Sequence, residues 1–228
     1  MNLSELLAVQ AKKFGDKVFL FFDRQTKNRH EQNFRQSLTY RELDNRVNQA
    51  CHYLSSLGLS RGDVFNLHLP NCPSFIILWL AGARLGAVMM PTNVLSSADE
   101  LAFLLEHSGS KISITTDEHL VTLKQCRKET TCLGRIILSE PYTEDPTAES
   151  FEAQLQNQPY TLWSCTVNDT DMAAIMYTSG TTSKPKGVMV THANYITAGE
   201  TVADAIELSE NDRQFVVLPL FHGNAQYY

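Results

Sequence analysis

The sequence predicts an α/β fold, with alternating βαβ units, a mostly parallel sheet and flanking helices. Two observations carry this prediction. Short β-prone runs alternate along the chain with runs whose apolar residues recur at helical spacing, the pattern that gives parallel strands joined by right-handed crossovers. The chain also has 228 residues, 43% of them hydrophobic, enough to fill the core such a sheet requires.

The elements follow in order. Met1 to Phe14 spaces its leucines as an amphipathic helix. Lys17 to Asp23 is apolar and β-prone, Ser37 to Tyr40 is a short extended piece, and a polar turn lies between them. From Tyr40 to Leu57 the positions Leu43, Val47, Ala50, Cys51 and Leu54 fall on one helical face, and Gly58 ends the run as a C-terminal cap. Asp63 to Leu69 then reads as a strand. The pattern repeats as a helix over Pro73–Leu85, a strand over Ala87–Pro91, a helix over Ala98–His107, a strand over Lys111–Thr116, a helix over Glu118–Arg127 and a strand over Arg135–Ser139. Glu140 to Pro146, with Pro141, Asp145 and Pro146, is a loop, and Thr147 to Gln156 is a surface helix. Met172–Tyr177 and Val188–Val190 are apolar strands on either side of a polar turn. A helix over Asn194–Ile206 and a last strand over Gln214–Leu218 close the series, and a further helix is due to start at Gln226–Tyr228. There is no internal repeat, low-complexity tract or sharp domain boundary.

Composition excludes several classes. A formal net charge of −6 provides no broad electropositive field for nucleic acid. Cys51, Cys72, Cys126, Cys132 and Cys165 are an odd, scattered set with no CxxC pair, which argues against a disulfide framework or a zinc site. The first residues carry Glu5 among their leucines and lack the pattern of a secretion signal. The longest apolar run, Phe75 to Ala83, is too short for a transmembrane segment. These features give the expectation of a cytoplasmic protein.

The chemistry concentrates in Tyr177-Thr178-Ser179-Gly180-Thr181-Thr182-Ser183-Lys184-Pro185-Lys186-Gly187. Glycine lets backbone N–H groups approach an anion, hydroxyls add donors, and lysine brings a mobile positive charge; together they suit a polyphosphate. A solvated β-turn would equally account for Gly180, Pro185 and Gly187, so the order of residues has to decide. A Walker A loop needs Gly-Lys-Ser/Thr five residues after its first glycine, whereas here Pro185 stands at that place and Lys186 precedes Gly187. No strand is followed by GxGxxG, so a Rossmann dinucleotide site has no support.

In that order the stretch resembles the signature loop of the adenylate-forming (AMP-binding) superfamily, which includes acyl-CoA synthetases, peptide-synthetase adenylation domains and luciferases. The resemblance implies that Thr178, Ser179, Gly180, Thr181, Thr182 and Lys186 hold the β- and γ-phosphates of ATP. Ser183, Lys184 and Gly187 complete the cofactor-binding loop, Thr178 touches Mg2+, and Lys186 and Thr181 act in catalysis. Ser183 departs from the glycine that most members carry. Asn71-Cys72-Pro73 through Trp79, Gly82, Gly86-Ala87-Val88 and Pro91-Thr92-Asn93 is similar to an early block whose role in the family is structural. Leu218-Pro219-Leu220-Phe221-His222-Gly223 resembles the stretch bordering the acyl pocket, which carries over His222, Gly223 and Asn224 as substrate-pocket residues. Read without the resemblance, His222 also fits a strand-end histidine with a local hydrogen bond. His192 reads as part of a helix N-terminal cap with Asn194, and Trp79 as part of a buried helix face.

The implied reaction joins a small carboxylic acid to ATP, releasing pyrophosphate, and passes the acyl group from the adenylate to coenzyme A. Within the superfamily the chain looks most similar to carnitine- or crotonobetaine-type ligases and short- or medium-chain acyl-CoA synthetases, a place in fatty acid or carnitine metabolism. The resemblance makes residues 1–228 an incomplete N-terminal AMP-binding domain without the adenine, ribose and hinge segments or the small C-terminal domain. The expectation is that 1–228 alone neither adenylates nor thioesterifies, which a carboxylate-dependent ATP–pyrophosphate exchange assay checks. A catalytically inactive nucleotide-binding or interaction protein and a peptide-synthetase adenylation domain stay open.

Overall fold

A computed structural model describes residues 1–24, 34–139, 149–178 and 184–227. The chain opens with α1 (Leu3–Phe14), whose N-terminus is closed by a reciprocal capping box between Asn2 and Glu5. Strands β1 (Val18–Arg24) and β2 (Phe34–Thr39) pair antiparallel in a separate two-stranded ribbon. The polar turn expected between them lies outside the described residues. Thr39 and Glu42 then form the capping box of α2 (Tyr40–Ser56), and Gly58 follows its end with φ 86°, the left-handed conformation that glycine adopts without strain.

The βαβ succession comes next: β3 (Val64–His68), α3 (Pro73–Leu85), β4 (Val88–Pro91), α4 (Ala98–Ser108), β5 (Ile112–Thr115), α5 (Asp117–Glu129) and β6 (Arg135–Leu138). Pro73 at the first helical position and Gly86 at φ 76° fix the two ends of α3. After α6 (Phe151–Gln156) come β7 (Met172–Thr178), β8 (Lys186–Thr191), α7 (His192–Ala205) and α8 (Gly223–Tyr227). The main sheet has the order β6-β5-β3-β4-β7-β8; all its strands are parallel except β8, which turns back antiparallel on β7. Strands β4 and β7 meet in register at Met89 and Ala174 alone.

Side chains from successive strand positions fill two apolar layers, one on each face of the sheet. Phe65, Leu67 and Met89 pack with Leu43, Leu54, Phe75 and Leu78 of α2 and α3. Met90, on the opposite face, packs with Leu101, Leu105, Leu123 and Cys126 of α4 and α5. Between strands, the buried Asn66 donates to the Met90 carbonyl at 2.8 Å and to Thr92 Oγ1 at 3.0 Å and accepts from Ser113 Oγ at 2.6 Å. His68 Nδ1 lies 2.9 Å from Thr92 Oγ1. This polar seam ties β3, β4 and β5 together and ends, at His68 and Thr92, on the carboxyl edge of the sheet, the edge where ligands of open α/β sheets bind.

Four local expectations need correction. Residues 214–218 form no strand: Phe215 is 90% exposed and Val217 67%, and β-prone side chains do not make a strand without a partner edge to receive their N–H and C=O groups. The helix expected over Thr147–Gln156 begins only at Phe151, behind the Ser150 cap, and is no surface helix on its inner side, since Phe151 and Leu155 are buried; residues 140–148 lie outside the described residues. The last helix starts earlier than Gln226, at Gly223. The N-cap of α7 is Thr191, which accepts from the Asn194 N–H, whereas His192 is the first helical residue and is fully buried, its Nδ1 accepting from the Leu3 N–H at 3.4 Å.

Candidate nucleotide-binding site

The site begins where β7 leaves the sheet. Its last residue, Thr178, pairs with Lys186, the first of β8, and Tyr177 pairs with Gly187. The strands therefore run further toward the turn than their apolar cores suggest, because ladder pairing continues through polar residues. Ser179, Gly180, Thr181, Thr182 and Ser183 lie outside the described residues. Thr178, Lys184 and Lys186 are exposed at the mouth of the hairpin, which gathers two cations and a hydroxyl at the carboxyl end of a parallel strand. Gly187 sits inside β8, where an added Cβ would lie 2.9 Å from Ile175 Cγ2 and 3.4 Å from Tyr177 Cζ. Close packing against these side chains, as much as any approach to a ligand, requires glycine there.

Two contacts hold the hairpin beside its mouth. Tyr177 Oη is hydrogen-bonded to His107 Nδ1 of α4 at 2.6 Å, and burial raises the Tyr177 pKa, so the phenol keeps its proton at neutral pH. The Lys184 ammonium stands 5.0 Å from the centroid of the Phe103 ring, also on α4. Neither His107 nor Phe103 is legible as a site residue in the sequence, because each reaches the hairpin from far along the chain.

The second part of the site is the turn into α8. Asn71 fixes it: its Nδ2 donates to the Leu218 carbonyl at 2.9 Å and its Oδ1 accepts from the Leu220 N–H at 2.7 Å. The block around Asn71, structural by resemblance, thus spans 147 residues to shape the pocket edge. The His222 N–H donates to the Pro219 carbonyl at 3.0 Å, and its ring lies 4.3 Å from that of Phe221. His222, Gly223 and Asn224 line an open hollow of about 250 Å³ together with Leu218. A Cβ on Gly223 would come within 3.5 Å of Met176 Sδ, so this hollow abuts β7 two residues before Thr178. The expected pocket residues are brought together, and beside the hairpin. Trp79, expected on a buried helix face, is partly buried and packs on Tyr195 of α7 at 5.2 Å between ring centroids.

Comparison with known proteins bears on the fold and the family. The chain is 32% identical to the crotonobetaine/carnitine–CoA ligase of Salmonella paratyphi B over 99% of its own length and 43% of that relative, so it spans less than half of the curated relatives it matches. Among solved structures, a Mycobacterium tuberculosis fatty acyl CoA synthetase is similar with a TM-score of 0.81 at 26% identity, over 98% of this chain and 41% of that one. The anthranilate CoA ligase AuaEII, in complex with anthranoyl-AMP, shares the fold with a TM-score of 0.85 at 24% identity, over 97% of this chain and 40% of that one. The family model described as AMP-binding enzyme matches residues 7–228, and the chain belongs to that family.

Proposed function

We propose that residues 1–228 are the first part of the N-terminal domain of an ATP-dependent acyl-CoA ligase and that the β7–β8 hairpin receives the triphosphate of ATP. The observation that carries this reading is the pairing of Thr178 with Lys186, which sets a hydroxyl and the two lysines at the carboxyl end of the sheet, in a chain 32% identical to a CoA ligase. In the proposed reaction a carboxylate oxygen attacks the α-phosphorus of ATP and pyrophosphate leaves. The thiol of coenzyme A then displaces AMP from the acyl-adenylate. Such transfers draw most of their acceleration from orientation and from charge placed where it develops. Lys186 and Lys184 would neutralise the departing pyrophosphate, and Thr178 would donate to a phosphate oxygen.

The Mg2+ that the family implies fits these residues as an ion carried by the nucleotide. Among the described residues no group of three or more His, Cys, Asp or Glu could hold a metal. Mg2+ takes its ligands largely from water and phosphate oxygens, so the exposed Thr178 hydroxyl would add one oxygen to that shell, and the ion would supply charge neutralisation. The hollow lined by His222, Gly223 and Asn224 would border a small carboxylic acid, and supply of ATP and coenzyme A favours the cytoplasm. Among the described residues no helix is long and apolar enough to cross a membrane.

Titration calorimetry with ATP tests the reading. Lys186→Ala is expected to weaken ATP binding about tenfold, the loss of one charge-assisted phosphate contact. An unchanged affinity would assign the hairpin to a protein that kept the loop without its use.

A further inference from the structure

We propose that the C-terminal half of α4 is a positioning platform for the phosphate-binding hairpin, with His107 and Phe103 as positioning residues; the proposal rests on the nucleotide-binding reading of that hairpin. The hairpin is held at both shoulders by one helix. On the outgoing side Tyr177, immediately before Thr178, is hydrogen-bonded to His107 at 2.6 Å, with ring centroids 5.7 Å apart at 72°. On the returning side Lys184, two residues before Lys186, places its ammonium 5.0 Å from the centre of the Phe103 ring. Phe103 and His107 are four residues apart on α4, with rings 5.4 Å apart, so both anchors belong to one continuous surface.

Gly187 belongs to the same device. It stands opposite Tyr177 in the ladder, and a side chain there would press on Ile175 and on the tyrosine ring. With only hydrogen at that place, the ring lies against the β8 backbone and its hydroxyl reaches α4. The geometry has an energetic purpose. Binding a polyphosphate orders the side chains that meet it, and fixing the places of Thr178, Lys184 and Lys186 beforehand lowers that cost. His107 and Phe103 touch no phosphate in this scheme. They set where Thr178, Lys184 and Lys186 stand when the nucleotide arrives.

The test compares ATP with AMP, which lacks the β- and γ-phosphates, by calorimetry on the 228-residue chain, with melting temperatures alongside. His107→Ala and Tyr177→Phe are each expected to raise the Kd for ATP about fivefold while changing that for AMP less than twofold. Because the two side chains act through one hydrogen bond, the double variant should be no weaker than either single one. His107→Gln, which keeps a hydrogen-bonding partner for the phenol, should recover most of the loss. An additive double variant, equal losses for ATP and AMP, or an unchanged ATP affinity in variants that fold while Lys186→Ala still weakens binding would each overturn the platform and leave the nucleotide site standing. Loss of the Lys186→Ala effect itself would overturn both.

Discussion

Arg84 lies at the end of α3 with 2% of its side chain exposed, and its guanidinium donates to Asp44 Oδ1 at 2.6 Å, Asn48 Oδ1 at 2.8 Å and Ser4 Oγ at 3.1 Å. Arg84→Met would keep the apolar stem and orphan these acceptors, which should cost about 3 kcal/mol of stability, measured by urea unfolding. His68 shows the opposite treatment of a titratable group. Burial, with a smaller contribution from the nearby His119, pushes its pKa down to about 4, so the folded state favours neutral imidazole. Its contribution to stability is therefore full above about pH 6.5, the unfolded value, and is lost progressively as the pH falls toward 4, by a total on the order of 3 kcal/mol. Unfolding curves between pH 7.5 and 4.5 should show that loss in the native chain and a flatter profile in His68→Asn. Single residues were unevenly legible. Gly58 announced its left-handed cap because the conformation is local, whereas the bond between His107 and Tyr177 joins positions 70 apart and leaves no trace in either neighbourhood.

Elements were legible wherever local chemistry closes them. The bounds of α3 follow from Pro73 and Gly86, and α2 starts at Tyr40 because Thr39 and Glu42 cap it; Thr39→Ala should cost about 1 kcal/mol, read from the same unfolding curves. Residues 214–218 show the limit of that approach. Phe215, Val216 and Val217 have the composition of a strand, yet strand formation depends on an edge elsewhere in the fold, and no periodicity within five residues reports whether one is there. The same segment leaves apolar side chains in water. The pair Phe215→Ser and Val217→Ser should alter stability by no more than about 0.5 kcal/mol and should reduce self-association, followed by light scattering against protein concentration. The hairpin mouth was legible as chemistry before it was legible as geometry: residue order singled out Lys186, but only ladder pairing sets it opposite Thr178.

On the scale of the molecule, the alternation of strands and helices was enough to anticipate the parallel sheet, while strand order and the antiparallel return of β8 depend on long-range packing that periodicity does not encode. The thiols report on that packing. Cys51 and Cys126 are buried, and burial pushes their pKa values up to about 12 and about 11, while Cys165 is exposed. In the folded protein at pH 8, iodoacetamide should label Cys165 and spare Cys51 and Cys126 until the chain unfolds, as peptide mass spectrometry would show. The single register pair between β4 and β7 has a mechanical meaning. Backbone pairing runs over four positions between β3 and β4 and six between β7 and β8, so across the boundary the helices above the sheet share the cohesion, through side chains such as Trp79 against Tyr195. Under load or mild denaturant, the hairpin bearing Thr178 and Lys186 would be the slab that shears away first, along a fault line already drawn in the sheet.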